Sequence, residues 1–257
     1  MKPNSLKEAL KNGGHAAGIM VRKFVDAEAG IMLKQAGVDF VLIDNEHTSM
    51  GMESLGMLCT VFRLAGVPPI VRVPDGDYHL IARRLDAGAM GIMVPRIRTR
   101  AQVEEVVACA KYPPEGKRGS AMRPLLVDYE STGTTAGDLD WVNRQMFIAI
   151  QIETRESLED LDGIIGVPGV DATIMGPHDL SIALGIPGDY RHPLMLKAID
   201  DMIAACNRHG VAPGIHLRSI EHLREYRGRG MRLLPCSTDV EFMLEGVTAA
   251  MRQLKQA

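Results

Sequence analysis

Aromatic side chains make up only 4% of this 257-residue chain, and no basic block gathers its 29 lysines and arginines, which stand against 32 aspartates and glutamates. With neither a cationic stripe nor rings on which bases could stack, nucleic-acid binding is not expected. No segment approaches the ~20 consecutive apolar residues of a membrane span. Charges interrupt the start of the chain, Ser5-Leu6-Lys7-Glu8-Ala9-Leu10-Lys11, so a secretory signal is not expected either. Cys59, Cys109, Cys206 and Cys236 are far apart and form no C-x-x-C pair. That spacing argues against a zinc knuckle or a disulfide framework and fits a reducing cytoplasm. No G-x-G-x-x-G follows a strand pattern and no Walker A lysine occurs, which removes the dinucleotide and P-loop readings.

What is present is a large apolar fraction, 46% of residues, enough for one globular domain over 1–257. Strand-length apolar runs recur at 18–21, 39–44, 69–73, 90–94, 147–152, 171–175, 211–215 and 231–234. Helical periodicity lies between most of them, as at 27–36 and 79–87, and this alternation predicts parallel strands in a (β/α)8 TIM barrel. Ala36-Gly37-Val38-Asp39, Ala87-Gly88-Ala89-Met90 and Pro168-Gly169-Val170-Asp171 repeat one grammar: a glycine where a helix ends, then a strand. One stretch breaks the rhythm, from Tyr112-Pro113-Pro114-Glu115-Gly116-Lys117-Arg118-Gly119 to Asp138, where Asp138 is read as the cap of a short helix through Arg144. Loops of this length tend to be functional, and an inter-subunit role is preferred because a helix-to-strand connection starts on the barrel face away from the active site.

The C-terminal strand ends of such a barrel carry its chemistry. Here they hold Asp44-Asn45-Glu46-His47, Arg72, Gln151-Ile152-Glu153-Thr154 and Gly176-Pro177-His178-Asp179-Leu180-Ser181. Alternation places Gln151 and Glu153 on one side of their strand, facing the mouth. Alone, Glu153 or Asp179 would be read as a helix-capping residue. On neighbouring strand ends they outline a site for a hard divalent cation, with coordination left open for a small oxyacid. Arg72 suits bidentate binding of a carboxylate. His47 is a candidate base, since Asp44 three residues earlier can fix an imidazole tautomer. His216 follows the seventh run and is the alternative. Cys236 reads as a small apolar filler and not as a nucleophile. Lys23 is a poor Schiff-base candidate, and the remaining lysines fall in helices, helix ends or loops.

In order and spacing these segments, together with Val71-Arg72, Leu85-Asp86-Ala87-Gly88-Ala89 and the Tyr112–Gly119 stretch, resemble the HpcH/HpaI aldolases, class II pyruvate aldolases, over nearly the whole chain. The resemblance implies a TIM barrel assembled as a hexamer from pairs that exchange their last helix. It also implies a divalent ion, Mg²⁺ or Mn²⁺ with Co²⁺ as a third option, held by Glu153 and Asp179. Arg72 would bind the pyruvyl oxygens, with Gln151, Gly176 and Pro177 lining that pocket. His47 with Asp44 would move protons, and Asp86 would reach in from a neighbouring subunit. Two departures stand out: Asn45 replaces the usual glycine, and Ile19-Met20 occupy a position where many members have an aromatic. The implied reaction is reversible cleavage of a 4-hydroxy-2-oxo acid to pyruvate, or a close 2-oxo acid, and an aldehyde. The competing readings are a related lyase or synthase using a CoA thioester or oxaloacetate, and a 2-oxo acid binding barrel without catalysis.

Overall fold

A computed structural model describes residues 1–121 and 125–256. Residues 122–124, within the 112–138 stretch, and residue 257 lie outside the described residues. Eight strands, β1 (Ala16–Val21), β2 (Phe40–Asp44), β3 (Pro69–Arg72), β4 (Gly91–Val94), β5 (Phe147–Ile152), β6 (Ala172–Met175), β7 (Ala212–Ile215) and β8 (Leu233–Thr238), close in sequence order into one barrel. All neighbours, including β1 with β8, pair in parallel. The helices between them return the chain to the opposite rim, as a parallel sheet requires. The three repeated glycines sit at these returns with φ of +86° (Gly37), +104° (Gly88) and +102° (Gly169). Only glycine takes that conformation without a Cβ penalty, which explains the repeated grammar.

Alternation divides the apolar side chains into two cores. Ala16, Met20, Phe40, Leu42, Ile70, Met93, Phe147, Ala149, Ala172, Ile174, Ala212 and Leu233 fill the barrel interior together with Leu6 and Leu10. Val41, Ile43, Val71, Ile92, Ile148 and Ile150, from the intervening positions, pack outward against the helices. Leu6 and Leu10 belong to the helix Ser5–Lys11, which closes the N-terminal end of the barrel. Asn4 caps that helix, and Lys7 Nζ reaches Asp171 Oδ1 at 2.8 Å and the Met146 carbonyl at 2.6 Å, just ahead of β6 and β5. One barrel end is therefore plugged, and chemistry is confined to the other.

Two sequence expectations are corrected. The eighth strand begins two residues later than its apolar run and continues to Thr238, because Met231 is still bonded to the preceding helix through the Tyr226 carbonyl. Pro235 and the polar Cys236-Ser237-Thr238 hid the remainder. The helix Thr135–Gln145 is capped by Thr134, whose side chain accepts from Gly137 N–H. Asp138 lies inside its first turn and accepts from the Thr132 N–H at 2.6 Å and the Ser131 hydroxyl at 2.9 Å. The stretch before this helix is tied to its own chain through Asp128, which Arg63 Nη2 meets at 2.8 Å.

The last helix, Asp239–Lys255, buries none of its residues. Phe242, Met243, Leu244, Val247, Met251 and Leu254 are all exposed on it. A groove of about 680 Å³, lined by Ile19, Phe24, Leu33, Val38, Cys236 and Phe242 among others, runs beside its first turn. No helix among the described residues is long and apolar enough to cross a membrane.

Candidate active site

In several strands the inward-facing series stays apolar until its last members and then turns polar. In β2, Phe40 and Leu42 lead to Asp44; in β3, Ile70 leads to Arg72; in β5, Phe147 and Ala149 lead to Gln151 and, one step past the strand, Glu153. Asp44 and Arg72 are register partners on adjacent strands. The same alternation carries β1 to Arg22 and β7 to His216. Six strands or strand ends thus direct polar groups toward one mouth, Gly176 and Asp179 following β6.

Asp44 is fully buried between two guanidinium groups. Arg72 Nε donates to its Oδ1 at 3.0 Å, and Arg72 Nη2 and Arg22 Nε lie 2.8 and 3.2 Å from its Oδ2. Neither approach to Oδ2 is aligned as a hydrogen bond, so that contact is an ion pair without directional bonding. Burial pushes the Asp44 carboxyl up, but the Arg72 hydrogen bond and charge, aided by the Glu46 and His47 amides, hold it below the usual aspartate range. It is a fixed anion that orients arginines. The expected contact between Asp44 and the His47 imidazole is absent. Asp44 Oδ1 accepts instead from the His47 backbone N–H at 3.2 Å, and the half-exposed ring lies with Nε2 3.6 Å from Glu46 Oε1. The reason is local: the chain turns immediately after β2, so Asp44 caps that turn through the amides of Glu46 and His47.

Glu46, Arg22, Arg96 and Ser237 were not singled out as site residues from sequence. The Glu46 side chain is 7% exposed, with Oε2 3.3 Å from Arg72 Nη1 and Oε1 3.8 Å from Arg96 Nη2; its carboxyl is raised by burial, against the opposing charges of Arg72, His47 and Arg96. Arg96 takes φ +56° in the loop after β4, which aims its N–H at Glu153 Oε1, 2.7 Å away. Arg22 and Arg96 carried the strand-end signal that marked Arg72. Ser237 did not. It is the extra residue where the β1–β8 register shifts, with φ +48°. Such a bulge re-aims the chain beside a site at a cost of order 1–3 kcal/mol. Its carbonyl accepts from His216 Nε2 at 3.0 Å.

Glu153 is buried, and Gln151 Nε2 donates to its Oε2. Burial raises the Glu153 carboxyl, the Arg96 N–H opposes this, and the charges of Asp179 and Glu46 raise it further. Among the described residues no cationic side chain pairs with Glu153, and the exposed Asp179 carboxylate has no hydrogen bond or ion pair. Gly176 makes the arrangement sterically feasible: a Cβ there would stand 2.7 Å from both Gln151 Nε2 and Glu153 Oε2. Its N–H is spent on the Ile152 carbonyl at 3.0 Å, so Gly176 contributes space and not a donor. Pro177 is buried as the first residue of the helix Pro177–Ala183, where its missing N–H costs nothing.

Among the described residues no three His, Cys, Asp or Glu side chains form a ready metal cluster. Two hard carboxylates, one of them buried and uncompensated, still fit Mg²⁺ or Mn²⁺, ions that commonly keep one or two protein carboxylates and fill the remaining positions with water or substrate. The buried and unpaired Gln151 Oε1 is a further oxygen available at the same place.

Asp86 is not brought to this mouth within the chain. It ends the helix Tyr78–Asp86, which leads away from the rim, and pairs at 2.5 Å with the fully buried Arg118, itself stacked 4.7 Å from the Tyr112 ring centre. Asn45 ties the turn after β2 to that helix, accepting from Arg84 Nε at 2.9 Å and donating to the Met50 carbonyl at 2.9 Å. Burial pushes the thiols of Cys59 and Cys206 up to about 12 and Cys109 to about 11, and raises Cys236, so none is a ready nucleophile.

Comparison with known proteins places this geometry in context. Residues 24–245 match the family model described as HpcH/HpaI aldolase/citrate lyase. A hydroxypyruvate/pyruvate aldolase of Roseovarius nubinhibens is 32% identical over 94% of this chain and 93% of its own. A 4-hydroxy-2-oxo-heptane-1,7-dioate aldolase of Shigella sonnei is 31% identical over 96% of this chain and 93% of its own. The crystal structure of an HpcH/HpaI aldolase from Desulfitobacterium hafniense superposes with a TM-score of 0.93 at 32% identity, covering 98% and 97% of the two chains.

The steric role of Gly176 is testable. Gly176→Ala places a methyl against Glu153 and Gln151 while keeping an ordinary φ of −95°. Mn²⁺ affinity measured by calorimetry should fall by roughly tenfold or more, as when groups supporting a ligand are disturbed. Wild-type Mn²⁺ binding in the variant would contradict the assignment of Glu153 as a ligand.

Proposed function

Because the chain belongs to the HpcH/HpaI aldolase/citrate lyase family, we propose that it is a class II aldolase, a carbon–carbon lyase that reversibly splits a 4-hydroxy-2-oxo acid into pyruvate, or a close 2-oxo acid, and an aldehyde. The observation that carries this reading is the uncompensated Glu153 carboxylate, close enough to Asp179 and Glu46 to feel their charges, at the rim where Asp44 holds Arg72 in place. Glu153 and Asp179 are the metal ligands in this reading, with Mg²⁺ or Mn²⁺ preferred and Co²⁺ as a third option. A divalent ion held there would supply the Lewis acidity that turns the C2 carbonyl into an electron sink.

The chain's own residues do the rest. Arg72 presents a guanidinium whose fork suits the substrate carboxylate, and its orientation is fixed by Asp44 and Glu46 before substrate arrives. Gln151, Gly176 and Pro177 shape the oxyacid pocket. His47 takes the C4 hydroxyl proton as C3–C4 breaks, with Glu46, 3.6 Å from its Nε2, as the anion that stabilises the imidazolium so formed. Asp44 supports this indirectly, by fixing the turn that carries His47. Lys23, two residues past β1, is exposed, which does not favour a Schiff-base route. The family also includes citrate lyases, and an absolute requirement for a CoA thioester would point there instead.

Assembly belongs to the same reading. The unburied apolar face of the helix Asp239–Lys255 and the groove beside it support a homo-oligomer, in our view a hexamer whose subunits exchange this helix. Asp86, half-exposed and braced by Arg118 away from its own mouth, would then serve a neighbour's site. Free cysteines suit a reducing cytoplasm.

Two variants test the roles. His47→Ala should lower aldol turnover by ~10²–10⁴-fold, leaving metal and pyruvate binding in place. Arg72→Ala should weaken pyruvate use by about 10- to 100-fold, the scale of a lost charge-assisted hydrogen bond, while changing the aldehyde KM far less. Wild-type rates in His47→Ala would move the base elsewhere; an effect of Arg72→Ala confined to the aldehyde would reverse its assignment.

For the assembly, sedimentation of the intact protein should show an oligomer, and Val247→Asp with Met251→Asp should shift it toward smaller species. A wild-type monomer would contradict the exchanged helix.

A further inference from the structure

Placing the oxyacid and the ion leaves one part of the rim unused. Metal ligands come from the ends of β5 and β6, the carboxylate clamp from β3 and the base from the turn after β2. The ends of β7, β8 and β1, adjacent in the closed barrel, carry His216, Ser237 and Arg22, none of which has been assigned a contact with substrate. In the proposed reading the oxyacid end of the substrate is held at β3, β5 and β6, which leaves this arc as rim open to the aldehyde half.

His216 is the most constrained group there. Its Nε2 lies 3.0 Å from the Ser237 carbonyl. A carbonyl only accepts, so Nε2 carries the hydrogen. Ser237 is itself held for this: it takes the left-handed conformation at the bulge, its N–H donates to Leu217 at 2.9 Å, and its hydroxyl donates to Glu241 Oε2 at 3.0 Å. Burial, with the nearby charges of Arg72 and Arg22, disfavours a second proton on the ring. Nδ1 is then a lone-pair acceptor without a hydrogen-bond partner among the described residues, near the Asp44 carboxylate and the two guanidinium groups, Arg22 and Arg72, that enclose it. The guanidinium groups cannot accept from a hydroxyl.

We propose that His216 is a specificity residue whose Nδ1 accepts a hydrogen bond from a hydroxyl on the aldehyde half of the substrate, so that the enzyme favours 2-hydroxyaldehydes over their deoxy counterparts. This deepens the aldolase reading and rests on it. A site built to bond a hydroxyl discriminates strongly against the analogue lacking it, because its own polar group is then left unpaired. The role differs from that of a base, which would slow all aldehydes alike.

The test pairs lactaldehyde with propionaldehyde, each condensed with pyruvate by the metal-loaded enzyme. Wild type should show a kcat/KM at least about tenfold higher for lactaldehyde. His216→Phe, which keeps a ring but removes both nitrogens, should bring the ratio near one chiefly through loss on lactaldehyde. His216→Gln, which can donate to Ser237 and accept at its other end, should restore part of the preference. Equal loss on both aldehydes, an unchanged ratio in His216→Phe, or a wild type indifferent to the hydroxyl would each overturn the proposal. If His216→Phe fails to fold, the wild-type ratio and the Gln variant still decide it. Absence of condensation with any aldehyde in wild type would instead strike the aldolase reading itself.

Discussion

In a closed barrel of parallel strands, alternate side chains must point at the axis, and the space there is finite. Phe40, Leu42, Ile70, Met93 and Phe147 occupy it from the plugged end, together with Leu6 and Leu10. Once that space is filled, the next inward position on each strand can be polar, because it faces the open rim. Asp44, Arg72, Gln151 and Glu153 are those positions. Site geometry is therefore a continuation of core packing: the apolar layers below determine the height and direction of the polar groups above. A strand slipped by one residue would bury Ile43 or Val71 at the mouth and send Asp44 and Arg72 among the helices.

The electrostatics of the mouth follow from this crowding. Four carboxylates, Asp44, Glu46, Glu153 and Asp179, share it with three arginines, but unevenly. Asp44 draws Arg22 and Arg72 and stays ionised; Glu46 is touched by Arg72, Arg96 and His47; among the described residues Glu153 receives an amide N–H and the Gln151 side chain alone. Breaking a buried ion pair by removing one partner costs several kcal/mol, so Arg72 is held firmly without substrate. Glu153 is the buried carboxylate that no cationic side chain answers among the described residues, which is where a cation gains most. Gly176 keeps the neighbouring strand clear of it.

Much of this was legible in the sequence, because the signals are local. Eight apolar runs and glycines at the helix-to-strand returns gave the barrel, and period-two alternation in Gln151-Ile152-Glu153 placed Gln151 and Glu153 on one side of β5. What was not legible depends on backbone geometry that polar residues conceal. The bulge at Ser237 lies past the apolar run 231–234, among polar residues that carry no strand signal, and with it went the tautomer of His216. Asp44 and His47 are three residues apart, a spacing equally compatible with a ring contact and with the turn cap that forms. Arg22 and Arg96 had the mark of Arg72 but lacked a neighbouring motif to raise them above ordinary surface arginines. Asp86 carries no strand-end signal, since its helix takes it to the far end of its own barrel, where it pairs with Arg118.

The central claim is that the residues at this rim support metal-dependent formation of an enolate from a 2-oxo acid without a covalent lysine adduct. The most direct measurement is exchange of the pyruvate methyl hydrogens in D₂O, followed by proton NMR, since it reads enolate formation without requiring the right aldehyde. Exchange should proceed with Mg²⁺ or Mn²⁺ present, stop after exhaustive chelation and return when the ion is restored. Undiminished exchange in metal-free protein, or a pyruvyl-lysine adduct trapped by borohydride, would contradict the account.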